Sequence, residues 1–437
     1  MNYLFNFLFI SILIVGIGYF TKNVKKLIRN IKLGQYVNVT DNKSERWKNM
    51  AMIALGQSKM VRRPIAGILH VIVYLGFIII NIEVLEIIID GVFGTHRIGL
   101  TVLPTSVYGF LIGSFEVLAV LVFVTVIIFW IRRNSIKLAR FWKSEMTSWP
   151  KNDANYILYF EMILMSLFLI MNATDVHFQS INSGNIISQY ITSWFSVLPE
   201  TTLHIIERSA WWLHITGILV FLNYLYFSKH LHILLAFPNT YYGKIAPKGQ
   251  LNNLASVTKE VKLMMDPSVD PFAAQPEGAQ HDVPAKFGAS DVQDLSWVQL
   301  LNAYSCTECG RCTSECPANL TGKKLSPRKI MMDTRDRLEE VGKNIDTNKG
   351  TFKDDGKQLL GDYITAEELW ACTTCNACVE ACPISIDPLS IIIEMRRYLV
   401  MEQSAAPVEL NNMMTNIENN GAPWPYNQMD RLNWKNE

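Results

Sequence analysis

Five stretches, at 3–20, 65–89, 106–131, 156–171 and 209–227, run apolar with few charged positions between long polar connections. A bilayer core of about 30 Å takes about 20 helical residues, so the pattern predicts five transmembrane helices, the fourth the shortest. The connections alternate in basic charge, with eleven Lys and Arg between 22 and 63, one between 91 and 105, six between 132 and 151, and one between 172 and 208. Basic connections stay in the cytoplasm. The expected topology is therefore multi-pass in the inner (cytoplasmic) membrane, with the N-terminus outside and everything after Lys229 in the cytoplasm. Trp211 and Trp212 sit where the fifth helix should meet the outer interface. The first stretch has its basic run after it and no small-x-small cleavage site, which reads as a retained helix and not a secretory signal.

After Pro238 the pattern becomes that of a soluble chain. A stretch rich in Pro, Ala and Gln at 266–284 reads as linker, and helical periodicity returns at 328–341 and 389–401 with no strand alternation. The predicted organisation is a membrane domain at 1–238, a linker at 239–291, a compact helical domain at 292–401, and a tail at 402–437 that lacks clear periodicity and reads as a partner-docking arm. Charged residues make up 18% of the 437 positions, against about 25% in ordinary soluble proteins. The net charge of +1 hides an asymmetry, since every cysteine lies in the C-terminal half. The Lys and Arg clusters are explained by membrane flanks, and no basic face studded with aromatics supports nucleic-acid binding.

The cysteines carry the chemistry. Cys306, Cys309, Cys312 and Cys316-Pro317 form C-x2-C-x2-C-x3-C-P, and Cys372, Cys375, Cys378 and Cys382-Pro383 repeat it. In the two-cluster ferredoxin run of this spacing, the fourth cysteine of each motif ligates the other motif's 4Fe-4S cluster. One cluster is thus assigned to Cys306, Cys309, Cys312 and Cys382, the other to Cys372, Cys375, Cys378 and Cys316. Three thiolates on a tight loop cap three irons, and the fourth arrives from elsewhere. Zinc sites favour paired C-x2-C knuckles, and disulfides do not suit a reducing cytoplasm. The long interval between Cys316 and Cys372 leaves room for helices, which favours an all-α, α-helical ferredoxin-type domain after the five-helix bundle.

A histidine in a membrane helix needs a partner for its polarity and is a functional candidate. His70 lies in the second apolar stretch, and His214, His230 and His232 are placed on the fifth. Eighteen residues, five turns of helix, separate His214 from His232 and put both on one face. His70 lies near the basic pair Arg62-Arg63, on the side where the fifth helix ends. The expected site is a haem b between His70 and His232, with His230 as the alternative to His232. His214 is a candidate ligand of a second haem, for which His177 is the available partner. His96, His204 and His281 read as solvated. Glu83, Glu86 and Glu116 are the acidic residues at mid-membrane positions, too few to suggest a pump.

The segment from Trp212-Leu213-His214 through Phe227-Ser228-Lys229-His230-Leu231-His232, with Gly67-Ile68-Leu69-His70, resembles the cytochrome b (gamma) subunit of respiratory nitrate reductases, including the spacing of its haem ligands. That family's further ligand ten residues after His70 is Ile80 here, which leaves His214 without the familial partner. From about Arg62 to Trp434 the chain resembles membrane-bound iron-sulfur oxidoreductases related to heterodisulfide reductase, on Ser305-Cys306-Thr307-Glu308-Cys309-Gly310-Arg311-Cys312 and Gly322-Lys323-Lys324-Leu325-Ser326-Pro327. Longer relatives continue into a cysteine-rich CCG domain, and Gly421-Ala422-Pro423-Trp424 looks like the sequence preceding it. The resemblance implies a separate CCG-domain subunit or electron-transfer flavoprotein as partner. The expected function is electron transfer between that partner and membrane quinone through two 4Fe-4S clusters and haem b. The alternative is an iron-sulfur docking scaffold with neither haem nor quinone site.

Overall fold

The computed structural model describes residues 2–268 and 286–436. Within them the chain is helical throughout, with no strand. The long helices α1 (Asn2–Ile31), α2 (Pro64–Phe93), α3 (Thr105–Asn134), α4 (Trp149–Thr174) and α5 (Glu200–Tyr224) correspond to the five expected spans. Each is long and apolar enough to cross a membrane. The fourth is not truncated. It begins at Trp149 with Pro150 in its first turn, and Asp153 is absorbed by bonds from the Tyr224 hydroxyl at 2.6 Å and the Lys229 amide at 3.1 Å.

Each long helix packs against the next in sequence, and α5 closes the ring against α1. Close approach is built in by small residues: a Cβ at Gly76 of α2 would stand 2.4 Å from the Val122 side chain of α3. Ile112, Phe115, Ala119, Phe168 and Ile215 fill the space between helices, while Ile65, Phe93, Phe110 and Ile205 point outward and are exposed. Large apolar side chains on both faces of the helices are what lipid, and not water, accommodates.

The second half begins with α6 (His232–Tyr241) and α7 (Ala255–Met265) and continues as α8 (Trp297–Ser305), α9 (Pro327–Thr347), α10 (Ala377–Ala381), α11 (Pro388–Met401) and α12 (Val408–Asn420). Local chemistry sets the starts. Ser296 and Gln299 form a capping box for α8, and Ser326 and Asp387 cap α9 and α11, each followed by a proline in the first helical turn. Leu300, Ile330, Leu338, Ile391 and Met395 make its core. Arg337, wholly buried, is held by Asp291 at 2.8 Å and Asp355 at 2.6 Å.

Three sequence boundaries move. The expected domain edge at 238 falls inside α6, and the expected linker at 239–291 contains α7. Residues 269–285, with most of the Pro, Ala and Gln stretch and His281, lie outside the described residues. The tail, expected without periodicity, holds α12, whose residues are not buried and which ends on Gly421 at φ 66°.

The helical second half seats on one end of the bundle. Lys26 and Arg29 at the end of α1 pair with Asp346, and Asn30 donates to Tyr304 at 2.9 Å. Arg63, before α2, pairs with Glu315 at 2.6 Å, and Arg328 reaches Glu145 at 2.7 Å in the connection after α3. One apolar cluster runs through the junction, from Leu164, Phe221 and Leu225 of the bundle to Leu300 and Leu338. The basic connections therefore meet the second half of the chain, and the nearly uncharged ones lie at the far end.

Candidate redox site at the junction

The two cysteine motifs fold into the same loop. Glu308 (φ 54°) and Gly310 (φ 71°) in the first match Thr374 (φ 55°) and Asn376 (φ 59°) in the second, all in the left-handed region. Such turns aim backbone N–H groups at an anionic centre. The Glu308 amide faces the Cys306 sulfur, as the Thr374 amide faces that of Cys372 at 3.4 Å and the Ile386 amide that of Cys382 at 3.3 Å.

Short helices following Cys309 and Cys375, Arg311–Ser314 and α10, pack on each other and carry the fourth cysteines across. Cys306, Cys309, Cys312 and Cys382 line one cavity together with Cys378. Cys316 acts electrostatically on Cys372 and Cys378. The fold thus brings each fourth cysteine to the other motif. Among the described residues, the set of three or more His, Cys, Asp and Glu ligand atoms all within 4.8 Å of one another is His96, Asp175 and Glu207, so no three sulfurs are that tightly gathered. A tetrahedral zinc, at about 2.3 Å per sulfur, would draw them to about 3.8 Å; an iron-sulfur cubane holds them further apart. Burial pushes the Cys306 thiol up to about 12 and that of Cys382 to about 11. Free, these groups stay protonated at neutral pH, and iron is what displaces the protons.

The first loop lies on the bundle. Arg311, 4% exposed, donates to the carbonyl of Met60 at 3.2 Å, just before α2, and acts electrostatically on His70. Lys59 donates to the Val379 carbonyl at 3.0 Å and to Ser385 at 3.1 Å, tying the second motif to the same connection. Glu308, between Cys306 and Cys309, receives Lys229 and, at 2.8 Å, Arg335.

His70 and His232 come together as expected, but the fifth helix that was to carry His214 and His232 is interrupted. α5 gives way to a 3-10 turn ending at Phe227, and Ser228 is extended (φ −114°, ψ 149°). His230 and His232 lie beyond this break, so His214 and His232 do not share one continuous helix. The break swings His232 back towards α2. The His70 and His232 rings stand 6.4 Å apart between centroids, and His230 stacks on His232 at 5.4 Å. The His232 Nδ1–H donates to the Lys229 carbonyl at 3.1 Å, which leaves Nε2 unprotonated and able to ligate. Among the described residues, the buried Nδ1 atoms of His70 and His230 have no hydrogen-bond partner. A bis-histidine iron, with bonds of about 2 Å and ring nitrogens about 1.1 Å from their centroids, needs rings about 6 Å apart. The His70 and His232 rings are thus spaced as a bis-histidine iron would require.

His214 is 2% exposed, and its Nδ1–H donates to the Leu164 carbonyl at 3.0 Å. The ring beside it is Phe168 at 6.1 Å, whereas His177 pairs with His96 at 6.1 Å. The expected His177 partnership with His214 is thus not formed, and His96 is engaged with Asp175 at 3.3 Å. Residues the sequence did not single out are Lys59, Lys229, Glu308 and Arg311; the last three carry charge beside a cysteine or histidine motif, and Lys59 has no such signal.

Residues 305–386 match the 4Fe-4S dicluster domain. The chain is 29% identical to the probable iron-sulfur-binding oxidoreductase FadF of Bacillus subtilis over 98% of its own length and 60% of that protein. It is 25% identical to the EtfAB:quinone oxidoreductase of Syntrophomonas wolfei, over 92% of this chain and 55% of that one. Over 24% of its length it is 35% identical to 52% of one of the subunits of the ferredoxin/F(420)H(2)-dependent CoB-CoM heterodisulfide reductase of Methanosarcina acetivorans. The chain spans little more than half the length of the first two. No solved structure matches it. This chain carries a 4Fe-4S dicluster domain on one end of a five-helix apolar bundle, and its relatives are iron-sulfur oxidoreductases.

Proposed function

We propose that the protein is a membrane-bound electron-transfer subunit that passes electrons between a soluble redox partner and the membrane quinone pool. Two 4Fe-4S clusters, one on Cys306, Cys309, Cys312 and Cys382 and one on Cys372, Cys375, Cys378 and Cys316, supply one-electron carriers at the junction. A haem b on His70 and His232 supplies the next carrier inside the bundle. The observation that carries this reading is the 6.4 Å approach of His70 and His232 directly beneath the first cysteine loop. The basic connections at the junction end support a cytoplasmic position for the cysteine domain. The partner is a CCG-domain subunit or an electron-transfer flavoprotein, and the exposed helix α12 with its tail is the docking arm for it. The S. wolfei relative, named as a quinone oxidoreductase, supports quinone as the membrane acceptor or donor.

Within this scheme the residues' own work is positional. Lys229 holds His232 through its carbonyl and the first cysteine loop through its ammonium. Arg311 and Lys59 fix both motifs to the start of α2. A reduced-minus-oxidised spectrum of the purified chain tests the reading. A b-type α band is expected, lost in His70→Ala and His232→Ala, retained in His230→Ala, with about eight cluster irons per chain in all four. Cluster iron with no such band in the wild type would leave the docking-scaffold alternative in its place.

A further inference from the structure

The far end of the bundle holds buried acids that electron transfer through the junction does not use. Glu116 is satisfied: it accepts from the Ile187 amide at 2.7 Å, the Ser188 amide at 3.0 Å and Asn172 at 3.1 Å, and so pins the 182–192 connection into the bundle. Glu86 accepts from the Gly99 amide at 2.9 Å and the Tyr108 hydroxyl at 3.1 Å. Glu83 is different. It is 4% exposed, and its buried Oε2 has no hydrogen-bond partner among the described residues. A buried carboxyl oxygen left unsatisfied is destabilising, so a group retained there calls for an explanation.

Glu83, Glu86 and Asp90 follow one face of α2 at intervals of three and four residues, a ladder about 10 Å long. That face lines a cavity of about 20 Å3 with His96, Arg97 and Glu207. Room for one water takes about 10–15 Å3, so the cavity has space for water beside these acids. It does not suit a divalent cation. His96, Asp175 and Glu207 are close enough to bind one, but Arg97 already holds Asp175 at 2.6 Å and Arg208 holds Glu207. His96, with its side chain 41% exposed, connects the cluster to the surface.

We propose that Glu83 is the inner end of a proton-exchange path that opens at the bundle end remote from the cysteine domain. The Glu83 carboxylic acid gives its proton to a cavity water, the water protonates Glu86, Glu86 passes a proton on through the cavity to His96, and His96 releases it to the bulk; uptake reverses these steps, and no electron moves. The charged and titratable groups around Glu83 are Glu86 and Asp90 on α2, His96 and Arg97 after it, Tyr108 and Glu116 on α3, Asp175 after α4, and Glu207 and Arg208 on α5. From α1 come Asn6 and Phe9, which carry no charge. What the proton is used for rests on the proposed function, because quinone reduction takes one proton per electron. The exchange itself does not.

Infrared spectroscopy of the full chain in lipid nanodiscs tests it. A protonated-carboxyl C=O band at neutral pH is expected, shifting promptly in D2O and absent in Glu83→Gln. Glu86→Gln is expected to keep the band and slow its exchange at least about a hundredfold, the scale on which loss of a positioned acid-base group is felt. Retained cluster absorbance checks the fold, and Glu83→Asp, which keeps the acid, should move the band if the Gln variant does not accumulate. A band that persists in Glu83→Gln, fails to exchange over hours, or is missing in the wild type would overturn the path. An exchanging band in a chain shown to lack haem would sink the proposed function and leave this inference standing.

Discussion

Replacing Glu308 by Gln removes one charge from the junction at nearly constant volume. Glu308 is 3% exposed, and its two oxygens are used separately, one by Lys229 and the other by Arg335 at 2.8 Å. Burial alone would raise its carboxyl, but the two cations hold it below the usual carboxylate range. Removing one partner of a buried ion pair costs about 3–5 kcal/mol. The lower end applies here, because Lys229 keeps Asp153 at 3.9 Å and Arg335 keeps the exposed Asp336 at 3.1 Å. A loss of about 3 kcal/mol makes opening of the 306–312 loop roughly a hundredfold more frequent. Hydrogen-deuterium exchange with mass spectrometry on the cluster-loaded chain should show that increase in peptides covering 303–316. The buried stretch of α9 around Leu338 and Val341 should be unchanged. An increase within about fivefold would mean the pair is worth only the 0–1 kcal/mol of an exposed one, and the account of the junction would be wrong.

Cys382→Ala is expected to abolish the cluster of the first motif and Cys316→Ala that of the second, read by electron paramagnetic resonance of the reduced chain; loss from the same motif instead would refute the crossed assignment. Arg337→Met strips the buried charge between Asp291 and Asp355 and should destabilise the cysteine domain by about 3–5 kcal/mol, measured by exchange of α9 amides, with little change in the bundle helices. Glu380 is held at about 2 by bonds from Lys248 and Arg62. Its contribution to docking is therefore full above the ordinary value of 4.5 and is lost as pH falls through that value towards 2. Exchange at 59–63, corrected for its intrinsic pH dependence, should rise as pH falls below 4.5 in the wild type and not in Glu380→Gln.

Much of this architecture was written in local sequence. The apolar lengths specified five spans, because a bilayer leaves few other ways to satisfy backbone groups, and the twin Cys-Pro runs specified paired cluster loops, because cubane ligation demands that spacing. The helix starts at Pro327 and Pro388 were legible to within a residue, since capping chemistry is local. The polar first turns of α4 and α5 were hidden, because the groups that compensate Asp153 come from residues more than 70 positions away. Only the tertiary structure decided that α5 breaks at Ser228. The approach of His232 to His70 was legible from their shared end of the bundle, but the break separates His232 from the face of His214, which periodicity, assuming a continuous helix, cannot anticipate. The same holds for Glu83. Glu83, Glu86 and Glu116 look alike in a sequence, and which of them keeps an unpartnered oxygen among the described residues depends on where the 182–192 connection and Gly99 come to rest.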